Sequence, residues 1–285
     1  MFTIKVLCIL TGEFGMANSV FTPEYTKNEV EWYGVQKFDG HNVKVSSRLL
    51  QRELNEYLNT WWWLGELECP SFFIKEADGW RCWMSLTPLE VQSMALPLHY
   101  AEGAVGTSGL GMGYFALSAA QSGAVDQVDV YESNPHVIRF FKKKFKDREG
   151  YDKINIIEGD VYDNLKGKYY DFFFADHYPT IGSDDVVTDW ETFNRDNDIG
   201  IYRFWGLEKV LCQVLMDQLD EENRDFDWLD CRERFFFTDW LNAERDLGSH
   251  DMVAIHTMYR RDYDSDYVRS VLEVAGLVDL VPISV

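Results

Sequence analysis

Four glycines, three acids and a tyrosine are the residues of this chain whose types and spacing could do chemistry. Gly106, Gly109, Gly111 and Gly113 fall together in GTSGLGMG. Glycines let a backbone turn sharply and approach a ligand closely. A short apolar helix pattern follows at 114–121, and its first turn would present free N–H groups. A β-rich run at 128–131 then ends in Glu132. An acid at that distance, about 20 residues past such a loop, can accept hydrogen bonds from ribose hydroxyls. The combination predicts a nucleotide-type cofactor site. Two more acids close short apolar runs: Asp160 in EGDVYD and Asp176 in ADHYP. An acid at a strand tip can bind an amino group, orient its lone pair and accept its proton. Tyr178 would line the same pocket. His177 is a candidate base, although neighbours on an extended loop point to different sides. Each residue also has a plainer use. Glycines make ordinary turns, Glu132 could be a strand-end surface acid, Asp160 and Asp176 could cap helices or turns, and Tyr178 could simply pack.

The elements that must position these residues read as an alternation. From residue 87 the order is helix, strand, helix, strand, helix, strand, acid loop, strand, acid loop. Strands alternating with helices predict an α/β, Rossmann-like fold, a mostly parallel sheet with helices on both faces. In such sheets the loops after the strand C-termini form the ligand crevice. The glycine loop, Glu132, Asp160 and Asp176 are therefore expected in one cleft. Thr87-Pro88-Leu89-Glu90 opens a helix running to about His99, with proline in its first turn. NPHVIRFFKKKFKDREG is a helix with a basic face.

Residues 1–86 are expected to form an N-terminal α+β extension, and 87–285 the Rossmann-like domain. Residues 1–45 read as an irregular lead-in with short strands such as 42–45. SSRLLQRELNEYLNTWWWLGEL has apolar residues at helical spacing (Leu49, Leu50, Leu54, Leu58, Trp61, Trp62), with Ser46 or Ser47 as cap. The Trp61-Trp62-Trp63 run suits a core or domain contact, or a stacking surface for substrate. SFFIKEADGWRCWMSL reads as a hairpin about Asp78-Gly79. Beyond Ile181 the acids Asp184, Asp185, Asp189, Glu191, Asp196 and Asp198 suggest a loop or lid. A helix is expected at about 201–219 and an acidic, aromatic-bearing helical insertion at 220–248. A strand in DMVAIHTMY, a helix in DYVRSVLEVAGL and a last strand in VDLVPISV complete the reading.

The 285 residues can bury a substantial core. Lys plus Arg is 27 and Asp plus Glu is 48, a net charge of −21. That charge argues against a phosphate-backbone partner, so no direct nucleic-acid binding is expected. It suits neutral or cationic ligands. The five cysteines contain no Cys-x-x-Cys pair, and the six histidines show no ligand spacing, so no metal site is expected. A reducing cytoplasm is the simplest setting. The opening MFTIKVLCILTGEFGMAN holds a short, broken apolar run, and Met16 is an alternative start. No membrane span is expected. The aromatic content leaves a homodimer open.

GTSGLGMG, Glu132, GDVYD and ADHYP together resemble the class I S-adenosylmethionine-dependent methyltransferases, over roughly residues 87–181. The resemblance implies S-adenosylmethionine as cofactor. It implies that Gly106, Gly109, Gly111 and Gly113 form the cofactor loop and that Glu132 takes the ribose hydroxyls. Asp160 would meet the adenine amino group, with the Val161 backbone beside it. Asp176 and Tyr178 would be the catalytic pair. The family usually has an acid just before its first glycine. Here Ala104 and Val105 precede Gly106 and the nearest acid is Glu102, so either Gly106 or Gly109 can be the first family glycine. Two branches look similar. Guanidino and arginine N-methyltransferases share a GMG-like loop and an Asp-x-Tyr-Pro loop. Spermidine synthases carry a β-rich N-terminal domain and transfer aminopropyl from a decarboxylated cofactor. The expected activity is methyl transfer to a nitrogen of a small or cationic acceptor, a small molecule or a protein. The alternatives are aminopropyl transfer, or a non-catalytic acidic protein of this fold that engages a partner by imitating nucleic acid. A Rossmann dehydrogenase fits the Asp160 and Asp176 loops less well.

Overall fold

In a computed structural model, residues 22–55, 60–181, 183 and 185–207 are described. The expected insertion at 220–248 and the elements after it lie outside them, as does most of the expected 201–219 helix.

The lead-in contains a helix, α1 (Pro23–Tyr33). Its start is chemically determined: Pro23 sits in the first turn, and Thr22 Oγ1 accepts from the Tyr25 N–H at 3.2 Å. Strands β1 (Phe38–Asp39), β2 (Val43–Asn55), β3 (Thr60–Glu76) and β4 (Gly79–Ser85) form an antiparallel sheet in that order. This corrects the helix expected from Ser46 onward. Its apolar residues match helical spacing, but Val43, Val45 and Leu50 pair with Ile74, Phe72 and Leu67 across β3. The Trp- and Phe-rich β3 favours a pleated partner, and that pairing overrides local propensity. The tryptophans alternate accordingly: Trp62 is 7% exposed, whereas Trp61 and Trp63 face solvent. The β3–β4 hairpin turns one residue earlier than expected, at Ala77-Asp78, since Glu76 pairs with Gly79.

The helix expected from 87 to 99 is two: α2 (Pro88–Ser93) and α3 (Ala95–Tyr100). Pro97 causes the break. Its ring conflicts with the Ser93 carbonyl four residues back, and it has no N–H to donate there.

The second sheet holds β5 (Gly103–Ser108), β6 (Val125–Glu132), β7 (Ile154–Glu158), β8 (Tyr169–Ala175) and β9 (Asp198–Phe204). All neighbours are parallel, in the order β7-β6-β5-β8-β9. The helices between them are α4 (Tyr114–Ala120), α5 (Pro135–Phe145), α6 (Val161–Asn164) and α7 (Val186–Asp196). This is the expected Rossmann-like α/β architecture. Its β8 strand carries a continuous apolar run, Phe172 to Ala175, because both faces of the sheet are covered there. Phe172, Phe173 and Phe174 of β8 are fully buried, and each such ring contributes roughly 1.5–3 kcal/mol.

The acidic stretch after Ile181 is not a loop at 186–196. Val186, Asp189 and Phe193 are buried at helical spacing, which makes α7 an amphipathic helix. Residues 201–204, expected to begin a helix, instead complete β9 beside β8. Among the described residues no helix is long and apolar enough to cross a membrane.

Candidate active site

The strand order has a switch point between β5 and β8, because the chain winds outward in one direction through β6 and β7 and in the other through β9. Ligands bind in the crevice at that point in doubly wound sheets. The strand tips are tied together there. The Asp176 N–H donates to the Ser108 carbonyl at 2.9 Å, Gly109 N–H to Tyr131 at 2.9 Å, and Gly159 N–H to Glu132 at 3.0 Å. These bonds extend the ladders past the strands, so the loops start in fixed register.

A cavity of about 510 Å³ opens above these tips. Gly109, Leu110 and Gly111 line it from the β5 loop, Glu132 to Asn134 from β6, Gly159 to Tyr162 from β7, and Asp176 to Pro179 from β8. Phe72 and Ile74 of β3 and Arg81 to Met84 of β4 line it from the antiparallel sheet, and Glu90 and Met94 from the α2–α3 segment. The size suits a nucleotide-scale ligand together with a small second one.

The structure brings together Gly109, Gly111, Glu132, Asp160, Val161, Asp176 and Tyr178. It does not bring in Gly106 or Gly113. Gly106 lies inside β5, two residues short of the loop, and a Cβ there would stand 2.5 Å from the Phe173 ring. Its glycine is explained by packing, so Gly109 is the first loop glycine. At Gly109 φ is +90°, and a Cβ would meet the Asp176 carbonyl oxygen at 2.2 Å. Only glycine permits this approach of the β5 loop to the β8 tip. Gly113 precedes α4 and packs on Phe141.

Glu132 is a strap as well as a lining residue. Its Oε2 accepts from the Leu110 N–H at 3.0 Å and its Oε1 from the Asn134 N–H at 2.7 Å. Burial pushes its carboxyl above the usual range, and the backbone donors only partly offset this. Each oxygen keeps a lone pair for a further donor. Asp160 caps α6, its Oδ1 accepting from the Tyr162 N–H at 3.0 Å. The plainer reading of Asp160 is thus realised, while the residue still lines the cavity. The glycine loop is also held from α1: the Tyr33 hydroxyl donates to the Met112 carbonyl at 2.8 Å, and Tyr114 donates to Glu29 Oε2 at 3.0 Å.

Asp176 is half-buried at the cavity floor. Burial first, and the nearby charge of Glu90 second, raise its carboxyl well above its ordinary range. Burial likewise pushes Glu90 up to about 7. Tyr178 is almost fully buried, its hydroxyl 3.4 Å from that of Tyr202, and burial raises its phenol far above the usual value. That raised value favours a neutral hydrogen-bonding wall over a base.

No family model and no curated protein matches the chain. Solved structures do overlap with it in part. One is the DhpI–SAH complex, with 21% identity over 38% of this chain and 51% of that one and a TM-score of 0.31. Another is the CcbJ methyltransferase from Streptomyces caelestis, with 18% identity over 41% and 51% and a TM-score of 0.34. A third is the glycopeptide N-methyltransferase MtfA complexed with sinefungin, with 17% identity over 39% and 50% and a TM-score of 0.30. The chain spans about half the length of these structures.

Two sets of residues escape sequence reasoning: Glu90, and the partners that surround His177. Glu90 sits in Thr-x-x-Glu, a spacing that reads as a helix start, yet Thr87 makes no side-chain cap and Glu90 turns inward. The second set is a polar chain through His177. Its Nδ1 lies 2.6 Å from Ser108 Oγ and its Nε2 3.2 Å from Asp189 Oδ2. The Tyr162 hydroxyl donates to Asp189 Oδ1 at 2.6 Å. Burial would raise the Asp189 carboxyl, but contacts from His177, Tyr162 and Tyr178 outweigh it and hold it below its usual range. In the sequence Asp189 is one of a run of acids. Only the burial of one helix face distinguishes it.

Proposed function

We propose that this chain is an S-adenosylmethionine-dependent methyltransferase acting on a nitrogen of its acceptor. The observation that carries the reading is the convergence of Gly109, Glu132, Asp160, Val161 and Asp176 on one cavity at the sheet's switch point. The residues fit the cofactor. The glycine loop passes close over the strand tips, and Glu132 retains acceptor capacity at the β6 tip. Glu132 would hold the ribose hydroxyls, and Asp160 with the Val161 backbone would face the adenine. The chemistry supplied by bound S-adenosylmethionine is an electrophilic methyl group on a cationic sulfonium.

What the chain itself contributes is alignment and proton handling. Asp176 accepts a hydrogen bond from the acceptor nitrogen, turns its lone pair toward the donor side, and takes the proton released. Its raised carboxyl makes that transfer more favourable than at an ordinary aspartate. Tyr178 walls the pocket, and His177, bonded to Ser108 and Asp189, holds the loop in place. The acceptor is a small molecule or a protein side chain.

The antiparallel sheet over the cavity favours a second reading, aminopropyl transfer from the decarboxylated cofactor. Calorimetric titration with S-adenosylmethionine, S-adenosylhomocysteine, decarboxylated S-adenosylmethionine and NAD separates these. Binding of the first two is expected. Selective binding of the decarboxylated form moves the reading to aminopropyl transfer. Binding of no adenosyl compound rejects both.

A further inference from the structure

The antiparallel sheet ends in a strand with one side unoccupied. β4 is last in the order β1-β2-β3-β4 and, among the described residues, pairs with β3 alone. Along its other side, alternate backbone N–H and C=O groups meet no further strand. Such an edge templates pairing with another chain, and proteins ordinarily blunt it with lysine, proline or a bulge. The strand GWRCWMS has no lysine and no proline. Its single charge is already engaged: Arg81 lies 2.7 Å from Glu76 Oε1, and its guanidinium carbon 4.8 Å from the centre of the Trp83 ring. One bulge is present. Phe72 pairs with Met84 and Phe73 with Cys82, which makes Trp83 the extra residue. Bulges re-aim side chains and recur beside sites. Gly79 to Cys82 keep a regular register against Glu76 to Phe73. Trp80 and Trp83 are 43% and 44% exposed. The second half of the strand belongs to the site, since Arg81, Cys82, Trp83 and Met84 line the cavity. Met84 also packs over the glycine loop, where a Cβ on Gly111 would stand 2.8 Å from its Sδ.

We propose that the outer side of β4 is a docking edge for an extended polypeptide with basic side chains, which adds to the sheet as a further strand and reaches the cavity. That this peptide is the methyl acceptor rests on the proposed function; the docking edge itself does not. Strand addition takes its affinity from main-chain hydrogen bonds and its selectivity from alternate side chains. Trp80 and Trp83 offer large, stiff surfaces for those side chains to lie against. Because the strand leads into the cavity wall, a peptide held in register along it has one end delivered at the cavity mouth. A side chain there can leave the docked backbone for the interior. The basic character follows from charge complementarity, since a net charge of −21 attracts cations and speeds their encounter. A second copy of this chain on the same edge would meet that charge as repulsion.

The test is fluorescence anisotropy of the full chain with a short fluorescein-labelled peptide of alternating lysine and valine. A matched peptide methylated on its central backbone nitrogens keeps every side chain and charge but loses the donors. The first should bind, and the second should bind roughly ten-fold more weakly or worse. Trp83→Ala should weaken the peptide by roughly five-fold. Trp61→Ala, exposed on β3 outside the cavity lining, should leave it unchanged. Melting curves establish that the variants fold. Cys82 gives a direct readout, because its thiol is exposed whereas Cys69 is buried. Bound peptide should slow maleimide alkylation of Cys82, followed by mass-spectrometric mapping. Equal affinity of the N-methylated peptide, unchanged affinity in Trp83→Ala, or alkylation of Cys82 indifferent to peptide overturns the inference. So does a peptide-free dimer that cross-links through Cys82, which would give the edge to a second copy. S-adenosylhomocysteine is titrated in parallel. Its failure to bind, with the peptide still bound, rejects the methyltransferase reading and leaves the docking edge standing.

Discussion

Replacing Glu90 by Gln should make the protein more stable, and only above about pH 5. The side chain is almost entirely buried, and burial raises its carboxyl from an ordinary 4.5 to about 7. The folded state therefore binds this proton more tightly than the unfolded chain does. Stability from the group is fully present below the unfolded value and is lost as pH rises through the folded one. Over that window of 2.5 units the wild type should lose about 3 kcal/mol, at 1.36 kcal/mol per unit. Gln has the same shape as the protonated acid and does not ionise, so the variant escapes the loss. Thermal melting at pH 4.5 and pH 8 measures the difference. The two proteins should melt within about 2 °C of each other at the lower pH, with Gln higher by about 5–10 °C at the upper. An equal offset at both values, or a less stable variant at pH 8, would refute the claim that burial raises the Glu90 carboxyl.

Further perturbations address the site and its scaffold. Asp176→Ala should abolish turnover while S-adenosylhomocysteine affinity, read by calorimetry, changes by less than about three-fold; normal turnover would remove Asp176 from the mechanism. Glu132→Gln should weaken cofactor binding by roughly 10–100-fold, since it removes charge from the ribose end and loosens the strap to Leu110. Gly109→Ala should cost about 1–3 kcal/mol in chemical denaturation and also impair cofactor binding, because its Cβ would strike the Asp176 carbonyl. Gly106→Ala should cost a similar amount through the Phe173 ring yet leave cofactor affinity intact in whatever fraction folds. Equal loss of affinity in both glycine variants would contradict placing only Gly109 in the loop.

Much of the parallel sheet was legible in order. GTSGLGMG, Glu132 and Asp176 close strands whose last residues are mostly buried, whereas Asp160 follows the half-exposed edge strand β7; each run still signals a strand by its β-branched and aromatic residues. The antiparallel sheet was not legible in the same way. Residues 46–55 satisfy helical spacing, and nothing local reveals that Trp61 to Phe73 lies alongside to pair with them. The same blindness applied to α7, where the run of acids obscured the helical spacing of Val186 and Phe193, with Asp189 buried on their face.

Within the site, sequence alone determined which residue types end each strand, since a strand tip needs only local pattern to locate it. It determined that a glycine-rich loop and three acids would share one end of a sheet. Tertiary structure decided which of them meet. Gly106 and Gly109 are equivalent in sequence, and they separate only because β5 extends to Ser108 and Phe173 lies across its interior. Glu90 joined Asp176 because α2 and the β8 tip line the same cavity, bringing together residues 86 positions apart in the chain. Whether an acid is a solvated surface group or a buried, unpaired one depends on what covers it. That cover comes from elsewhere in the chain, so no local reading of Thr-Pro-Leu-Glu could have supplied it.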